Sequence, residues 1–235
     1  MAHIKHFKPD IVCFEVTPEH YGKDEEAFYY PSEFPAVIAA AREASAIAWP
    51  SDWRPSSTST DIDTAIAEMT PDEKKSYQNA YRDFMPRLEK ARGTKMFDFW
   101  HSTEAMNLIR KVHNQMIEAA TDIGAGFWDT RNQMITKRCM RKAKEIKAKT
   151  VVFAFGGDHK YGIEDNLRRF YKIKPTQVKR TIPPSQVPLP ASVTTQWVKY
   201  AATIEKYIAG ALPVPGYTPE TLKKRATFYK TLAKQ

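Results

Sequence analysis

Apolar positions along this chain fall into three short continuous runs, set between longer stretches with helical spacing. Residues 11–16 (IVCFEV), 46–49 (AIAW) and 150–155 (TVVFAF) are each bounded by proline or glycine. Runs of this length predict strands, and the third, ended by a glycine pair, predicts one covered on both faces, as in a parallel sheet. The turn Lys8-Pro9-Asp10 precedes the first strand, and Pro50-Ser51-Asp52-Trp53-Arg54 ends the second. Between them, residues 34–45 read as a helix with Pro35 in its first turn. Residues 19–32 read as a polar and aromatic loop, and 55–60 as a Ser/Thr loop. Thr70-Pro71-Asp72-Glu73 is a helix start, with Thr70 as N-cap, Pro71 at N1 and Glu73 at N3. Helices are predicted over 71–92, 102–122, 129–148 and 161–171. Pro183, Pro184, Pro188 and Pro190 mark an extended connector. Two more helices follow, over 191–210 and 219–233, the second opened by Thr218-Pro219-Glu220.

The order strand, helix, strand, helices, strand, helix predicts an α/β fold. The expected architecture is a mostly parallel sheet core with a helical insertion and a C-terminal helical extension. Residues 1–182 would form the α/β domain, with the insertion at about 60–148 as a helical cap over the sheet edge. Residues 183–235 would form the connector and C-terminal helices, which dock on the sheet, cover an edge strand or make a homo-oligomer contact. No internal repeat is visible.

Composition narrows the class. With 235 residues and 42 % hydrophobic content the chain is globular and long enough to bury a substantial core. No run approaches the roughly 18 apolar residues of a transmembrane helix. The opening MAHIKHFKPD lacks the apolar stretch of a signal peptide. Two cysteines, Cys13 and Cys139, make no disulfide framework and read as buried small apolar residues. The net charge of +9 is local: residues 130–182 hold 15 Lys/Arg against 4 Asp/Glu.

The candidate chemistry sits at strand exits. Gly156-Gly157-Asp158-His159 follows the third run and opens the next helix. Paired glycines permit a sharp turn and close ligand approach. In a parallel sheet, strand exits and helix N-termini share one edge, where ligands bind. That topology puts Glu15, Asp52, Arg54 and His159 on one edge. Arg131 joins them at the start of the helix leading back to the third strand. Each also has a plainer reading. Glu15 is either an exposed strand end or a buried carboxylate with a partner. Arg131 heads the apolar stripe Ile135, Cys139, Ala143, Ile146, so it points inward, paired structurally or catalytically. Asp158 caps the next helix or lines the cleft. Tyr161 and Lys160 contact substrate or are ordinary surface residues. His159 is a functional or a structural imidazole.

These residues carry a resemblance. Gly156-Gly157-Asp158-His159 resembles the GxxH pattern of the TraB/GumN, Tiki and ChaN-like superfamily, which is also related to erythromycin esterases. Lys8-Pro9-Asp10-Ile11-Val12-Cys13-Phe14-Glu15 resembles that superfamily's strand ending in an acid. Ser51-Asp52-Trp53 resembles the end of its next strand. Trp128-Asp129-Thr130-Arg131-Asn132-Gln133-Met134-Ile135 resembles its Arg-bearing helix. The four occur in the family's order and cover about residues 1–180. The resemblance implies a hydrolase, metal-dependent or metal-free, acting on a small-molecule or peptide substrate through a His/Glu/Arg cleft. His159 would be base or metal ligand, and Glu15 a second ligand or base. Arg131 would orient Glu15 or stabilise an oxyanion. Gly156, Gly157, Asp158, Asp52, Arg54 and Tyr161 would line the cleft. A divalent metal ion is the implied cofactor, with haem as the ChaN-like alternative. The family's first GxxH, on a preceding strand, has no counterpart here, since His3 and His6 lack the glycine and read as mobile terminal residues. The chain thus either starts one strand–helix unit late or lacks the first His, which would favour ligand binding over catalysis.

A different class rests on charge. Lys137, Arg138, Arg141, Lys142, Lys144, Lys147 and Lys149, with Arg168, Arg169, Lys172 and Lys174, form either a solvated basic face or a surface for nucleic acid or another anionic partner. His101 and His113 are twelve apart, which is no compact metal spacing. Trp49, Trp53, Trp100 and Trp128 read as core or cleft-lining residues.

Overall fold

Ile11, Val12, Cys13 and Phe14 have no solvent exposure at all, which makes this strand the centre of the fold. A computed structural model describes residues 2–55, 59–178 and 189–234. The chain opens with α1 (Ala2–Phe7), followed by the central strand β1 (Ile11–Phe14). After α2 (Glu25–Tyr29) and α3 (Phe34–Glu43), β2 (Ile47–Pro50) pairs parallel to β1 in the register Ile11 to Ile47 and Phe14 to Pro50. The middle of the chain is helical: α4 (Ser59–Ala67), α5 (Pro71–Asn79), α6 (Met85–Lys90), a 3-10 turn at Gly93–Lys95, α7 (Met96–Trp100), α8 (Thr103–Gly124) and α9 (Trp128–Glu145). Strand β3 (Val151–Ala154) then pairs parallel on the other side of β1, with Ile11 opposite Val151. Helices α10 (His159–Tyr171), α11 (Ala191–Ala209) and α12 (Pro219–Leu232) complete the chain.

The structure is mostly helical, 63 %, with one three-stranded parallel sheet in the order β2-β1-β3. The expectation of a mostly parallel sheet core overstates that sheet. Three four-residue strands cover little apolar surface, so helix packing supplies most of the core.

The described residues divide into two compact units. The sheet unit is drawn from Met1–Asp52, Arg141–Ala154 and Ile182–Gln235, the helical unit from Trp53–Met140 and Phe155–Thr181. In the sheet unit Asp10 aligns the strand entries. Its carboxylate accepts from the backbone N–H groups of Lys149 (2.7 Å) and Thr150 (2.8 Å). Its own N–H donates to the Thr150 carbonyl, and its carbonyl accepts from Ile47. Those backbone donors hold the Asp10 carboxyl below its usual range. An aromatic core from α2, α3, α11 and α12 includes Phe28, Trp197, Tyr200, Ile204 and Tyr229. Arg225 reaches from α12 to the carbonyls of Ala27 and Tyr30, satisfying the end of α2. In the helical unit Phe84, Ile109, Val112 and Tyr161 centre a second core.

Several local expectations change. The terminal residues holding His3 and His6 are helical, anchored by buried Ile4 and by an ion pair from Lys5 to Glu43. The stretch read as a loop over 19–32 contains α2. The helix expected over 71–92 starts with the Thr70–Glu73 capping box but stops at Asn79. Pro86 explains the break: inside a continuous helix its ring would meet the preceding turn, so α6 restarts with Pro86 in its first turn. Neither cysteine is a free thiol; Cys13 and Cys139 are fully buried and disulfide-bonded. Two cysteines far apart in sequence carry no spacing signal for such bonding. The proline-rich connector expected around 183–188 and the Ser/Thr loop at 56–58 lie outside the described residues. No helix among the described residues is long and apolar enough to cross a membrane.

Candidate functional site

His159 opens α10, five residues after the last residue of β3. Its backbone N–H donates to the Gly156 carbonyl, and that of Lys160 to the Gly157 carbonyl. The Gly-Gly-Asp turn thereby becomes the first turn of the helix. Asp158 stands at the N-cap position but its side chain makes no capping hydrogen bond. Its φ of −62° and ψ of −32° are already helical, whereas a capping side chain needs an extended backbone. Gly157 serves packing here rather than ligand approach. A β-carbon on it would lie 2.2 Å from the Trp100 indole, so the ring occupies that space.

The His159 side chain is 2 % exposed. Its Nδ1 lies 2.9 Å from Asn132 Oδ1, and Asn132 Nδ2 donates to the Trp128 carbonyl at 2.9 Å. The second bond fixes the amide orientation, so the oxygen faces His159. An amide oxygen only accepts, so Nδ1 carries the hydrogen and, in the neutral ring, the lone pair sits on Nε2. Asn132 itself is held against Gly162, where a β-carbon would approach its Cγ to 2.8 Å.

A second buried imidazole shares the same plate. Both His113 and His159 stack on the Trp128 indole, with ring centroids 3.8 and 4.4 Å away. Trp128 Nε1 donates to the Tyr161 hydroxyl at 2.9 Å. That hydroxyl is 3.1 Å from His113 Nδ1. Burial pushes the His113 pKa down to about 3, and the electrostatic influence of the neighbouring His159 imidazole acts in the same direction. Burial also pushes the Tyr161 phenol well above its ordinary value, outweighing the bond from Trp128. Tyr161 therefore stays protonated and His113 neutral, and the hydrogen bonds run from Trp128 to Tyr161 to His113. Tyr161, expected at the surface or on substrate, is instead 5 % exposed within the helical core.

One turn along α10, Glu164 is 6 % exposed. It is bridged by Lys160 at 2.5 Å and Arg168 at 2.6 Å. Burial raises its pKa, but the Lys160, Arg168 and Gln177 contacts more than offset this and leave it lowered. Lys160 is thus an ion-pair partner and not an idle surface residue.

The other candidates divide between the units. Glu15 is half-buried directly after β1, and Asp52 is fully buried after β2, both in the sheet unit. The Ser51 and Asp52 N–H groups donate to the carbonyls of Phe14 and Val16, so these two strand exits run side by side around Glu15. Half-buried Arg131 and exposed Arg54 belong to the helical unit with His159, Gly156, Gly157, Asp158 and Tyr161. Asn132, Trp128 and His113 were not assigned from sequence. Trp128 and Asn132 are four apart on α9, hence on one face, and that spacing is the signal that carried them.

The metal expectation meets only part of its requirement. A ring N–H donated from Nδ1 to an oxygen is the usual support of a His ligand. Yet among the described residues no group of three or more His, Cys, Asp or Glu side chains is placed to hold a metal ion. A cavity of about 120 Å³ in the sheet unit is lined by Glu26, Ile38, Arg42, Gln196 and Tyr200, among others, and touches none of the candidates.

The basic stretch is partly committed. Lys142 pairs with Glu145 and lies 4.8 Å over the Trp49 ring, and Arg168 pairs with Glu164 and Asp165. Lys137, Arg141, Lys144, Lys147 and Lys149 are exposed.

No family model matches this chain, and no curated protein or solved structure matches it.

Proposed function

We propose that this chain is a hydrolase of the TraB/GumN, Tiki and ChaN-like type, acting by general acid–base chemistry with His159 as the base. One observation carries the reading: the Asn132 hydrogen bond sets the hydrogen of His159 on Nδ1, the tautomer in which an imidazole acts as a base through Nε2. Trp128 supports the ring from its face. The resemblance alone gives Glu15, in the sheet unit, a role as a second base, and its variant tests that role separately. Arg131 would supply positive charge to the oxyanion that forms as water adds to an ester or amide carbonyl. No step is assigned to a metal or haem.

The test is a panel of ester, amide and peptide substrates with wild-type protein and the variants His159→Ala, Glu15→Gln and Arg131→Met. Loss of a general base predicts a fall in kcat of roughly 10²–10⁴-fold for His159→Ala. Turnover of a panel substrate at the wild-type rate by His159→Ala would overturn the assignment, as would inactivity of wild type across the whole panel.

A further inference from the structure

The C-terminal end of α10 exposes apolar and cationic side chains together. Phe170, Tyr171 and Ile173 are 53 %, 36 % and 40 % exposed. They account for three of the eleven large hydrophobic side chains exposed among the described residues, within four positions. The run Arg168-Arg169-Phe170-Tyr171-Lys172-Ile173-Lys174 contains no acidic residue.

Hydrogen bonds close the end of the helix here. Lys172 adopts a left-handed conformation with φ of +58°, and its N–H donates to the Leu167 carbonyl, as does the N–H of Ile173 at 3.1 Å. Lys172 Nζ donates to the Arg169 carbonyl at 3.1 Å.

Cations at a helix C-terminus complement the helix dipole, which accounts for some of the charge. It does not account for three large apolar side chains held in water beside them. Arg168 is engaged by Glu164 and Asp165, which leaves Arg169, Lys172 and Lys174 as the outward charges.

We propose that residues 169–174 dock on an anionic lipid surface. Phe170, Tyr171 and Ile173 enter the interfacial layer, and Arg169, Lys172 and Lys174 meet the headgroup phosphates. Mixed apolar and basic side chains are what such a surface binds, through buried apolar area plus attraction to anionic lipid. Charge complementarity argues against a second copy of this patch as the occupant, because three cations would face three cations. Nucleic acid is the poorer fit. Ile173 offers no ring for a base to stack on, and the Arg169 guanidinium covers one face of Phe170 at 5.1 Å.

The test is co-sedimentation of the full chain with vesicles of phosphatidylcholine alone and of phosphatidylcholine mixed with phosphatidylglycerol. Binding is expected only with phosphatidylglycerol. The triple variant Arg169→Gln, Lys172→Gln, Lys174→Gln should lower the partition coefficient on the order of 100-fold, at a few-fold per cation. Phe170→Ser with Ile173→Ser should lower it more than about tenfold with every charge retained. Phe228→Ser, which removes an aromatic exposed elsewhere, should bind as wild type does. All five substituted positions in the patch variants are exposed, and far-UV circular dichroism checks that each variant is folded. The proposal is overturned by absent vesicle binding, by binding that the apolar pair leaves unchanged, by equal loss in Phe228→Ser, or by retention of a DNA duplex without vesicle binding.

Discussion

Acidification should destabilise this protein through His113, by an amount that follows from its burial. Folded His113 is 2 % exposed, stacked at 3.8 Å on Trp128, with a pKa held at about 3 against an ordinary value of 6.5. In the unfolded chain the ring takes up a proton once the pH falls below 6.5. The unfolded state then binds more protons than the folded one, so stability falls with pH. This contribution is complete above pH 6.5 and is lost progressively as pH drops towards 3. Between pH 6.5 and 5, at about 1.4 kcal/mol per unit, the loss is about 2 kcal/mol. The assay is urea unfolding, followed by far-UV circular dichroism, at pH 7 and pH 5. Wild type is compared with His113→Asn, whose side-chain oxygen takes the place of Nδ1 as acceptor for Tyr161. The variant is expected to be weaker at pH 7 by about 1–3 kcal/mol, from the lost ring and its stack. Its further loss on going to pH 5 should be smaller than the wild type's by about 2 kcal/mol. Other titrating groups are common to both proteins and cancel in that difference. Parallel losses in the two proteins would refute the reasoning, as would direct observation of His113 protonating near its ordinary value.

Three further outcomes follow from packing and hydrogen bonding. Gly157→Ala puts a β-carbon 2.2 Å from the Trp100 ring and should cost about 1–3 kcal/mol or more in chemical denaturation, while an unchanged midpoint would mean that Trp100 does not fill that space. Asn132→Leu removes the acceptor of His159 Nδ1, so nitrogen NMR should show the ring leaving the single Nδ1–H tautomer, with a stability loss of about 1–3 kcal/mol; an unaltered tautomer signal would contradict the role given to Asn132. Thiol titration of the unfolded chain without reductant should find no reactive thiol, and two after reduction; two before reduction would contradict the bonding of Cys13 and Cys139.

The three strands were legible because each is a continuous apolar run, but the burial on both faces expected of the third holds only for β1, since β3 is half-buried along its length. Their weight in the fold was misjudged, since a pattern locates a strand without saying how many neighbours share the sheet. The terminal helix was missed because one apolar residue, Ile4, anchors it, and a single residue has no period. His159 was legible from the glycines before it, but Gly157 was given the wrong reason: the space it leaves is taken by Trp100 from a separate helix. Asn132 was invisible as a functional residue because an amide on a polar helix looks like surface. Only the partners supplied by Trp128, Gly162 and His159 explain its 2 % exposure. Tyr161 failed for a similar reason, since its hydroxyl is satisfied from inside by Trp128 and His113 rather than by water.

The order β2-β1-β3 also sets a timetable for folding. Ile11 meets Ile47 after a connection that holds two short helices, but its other neighbour, Val151, lies 140 positions along the chain. At a synthesis rate of about 5–20 residues per second, one side of β1 waits roughly 7–30 seconds on the ribosome for its partner. During that interval Ile11, Val12, Cys13 and Phe14 present an unpaired apolar edge, the kind that recruits strands from other chains. Yield from rapid expression should therefore depend on holding that edge apart more than on the final stability of the fold, and slower translation or a strand-binding chaperone should raise it.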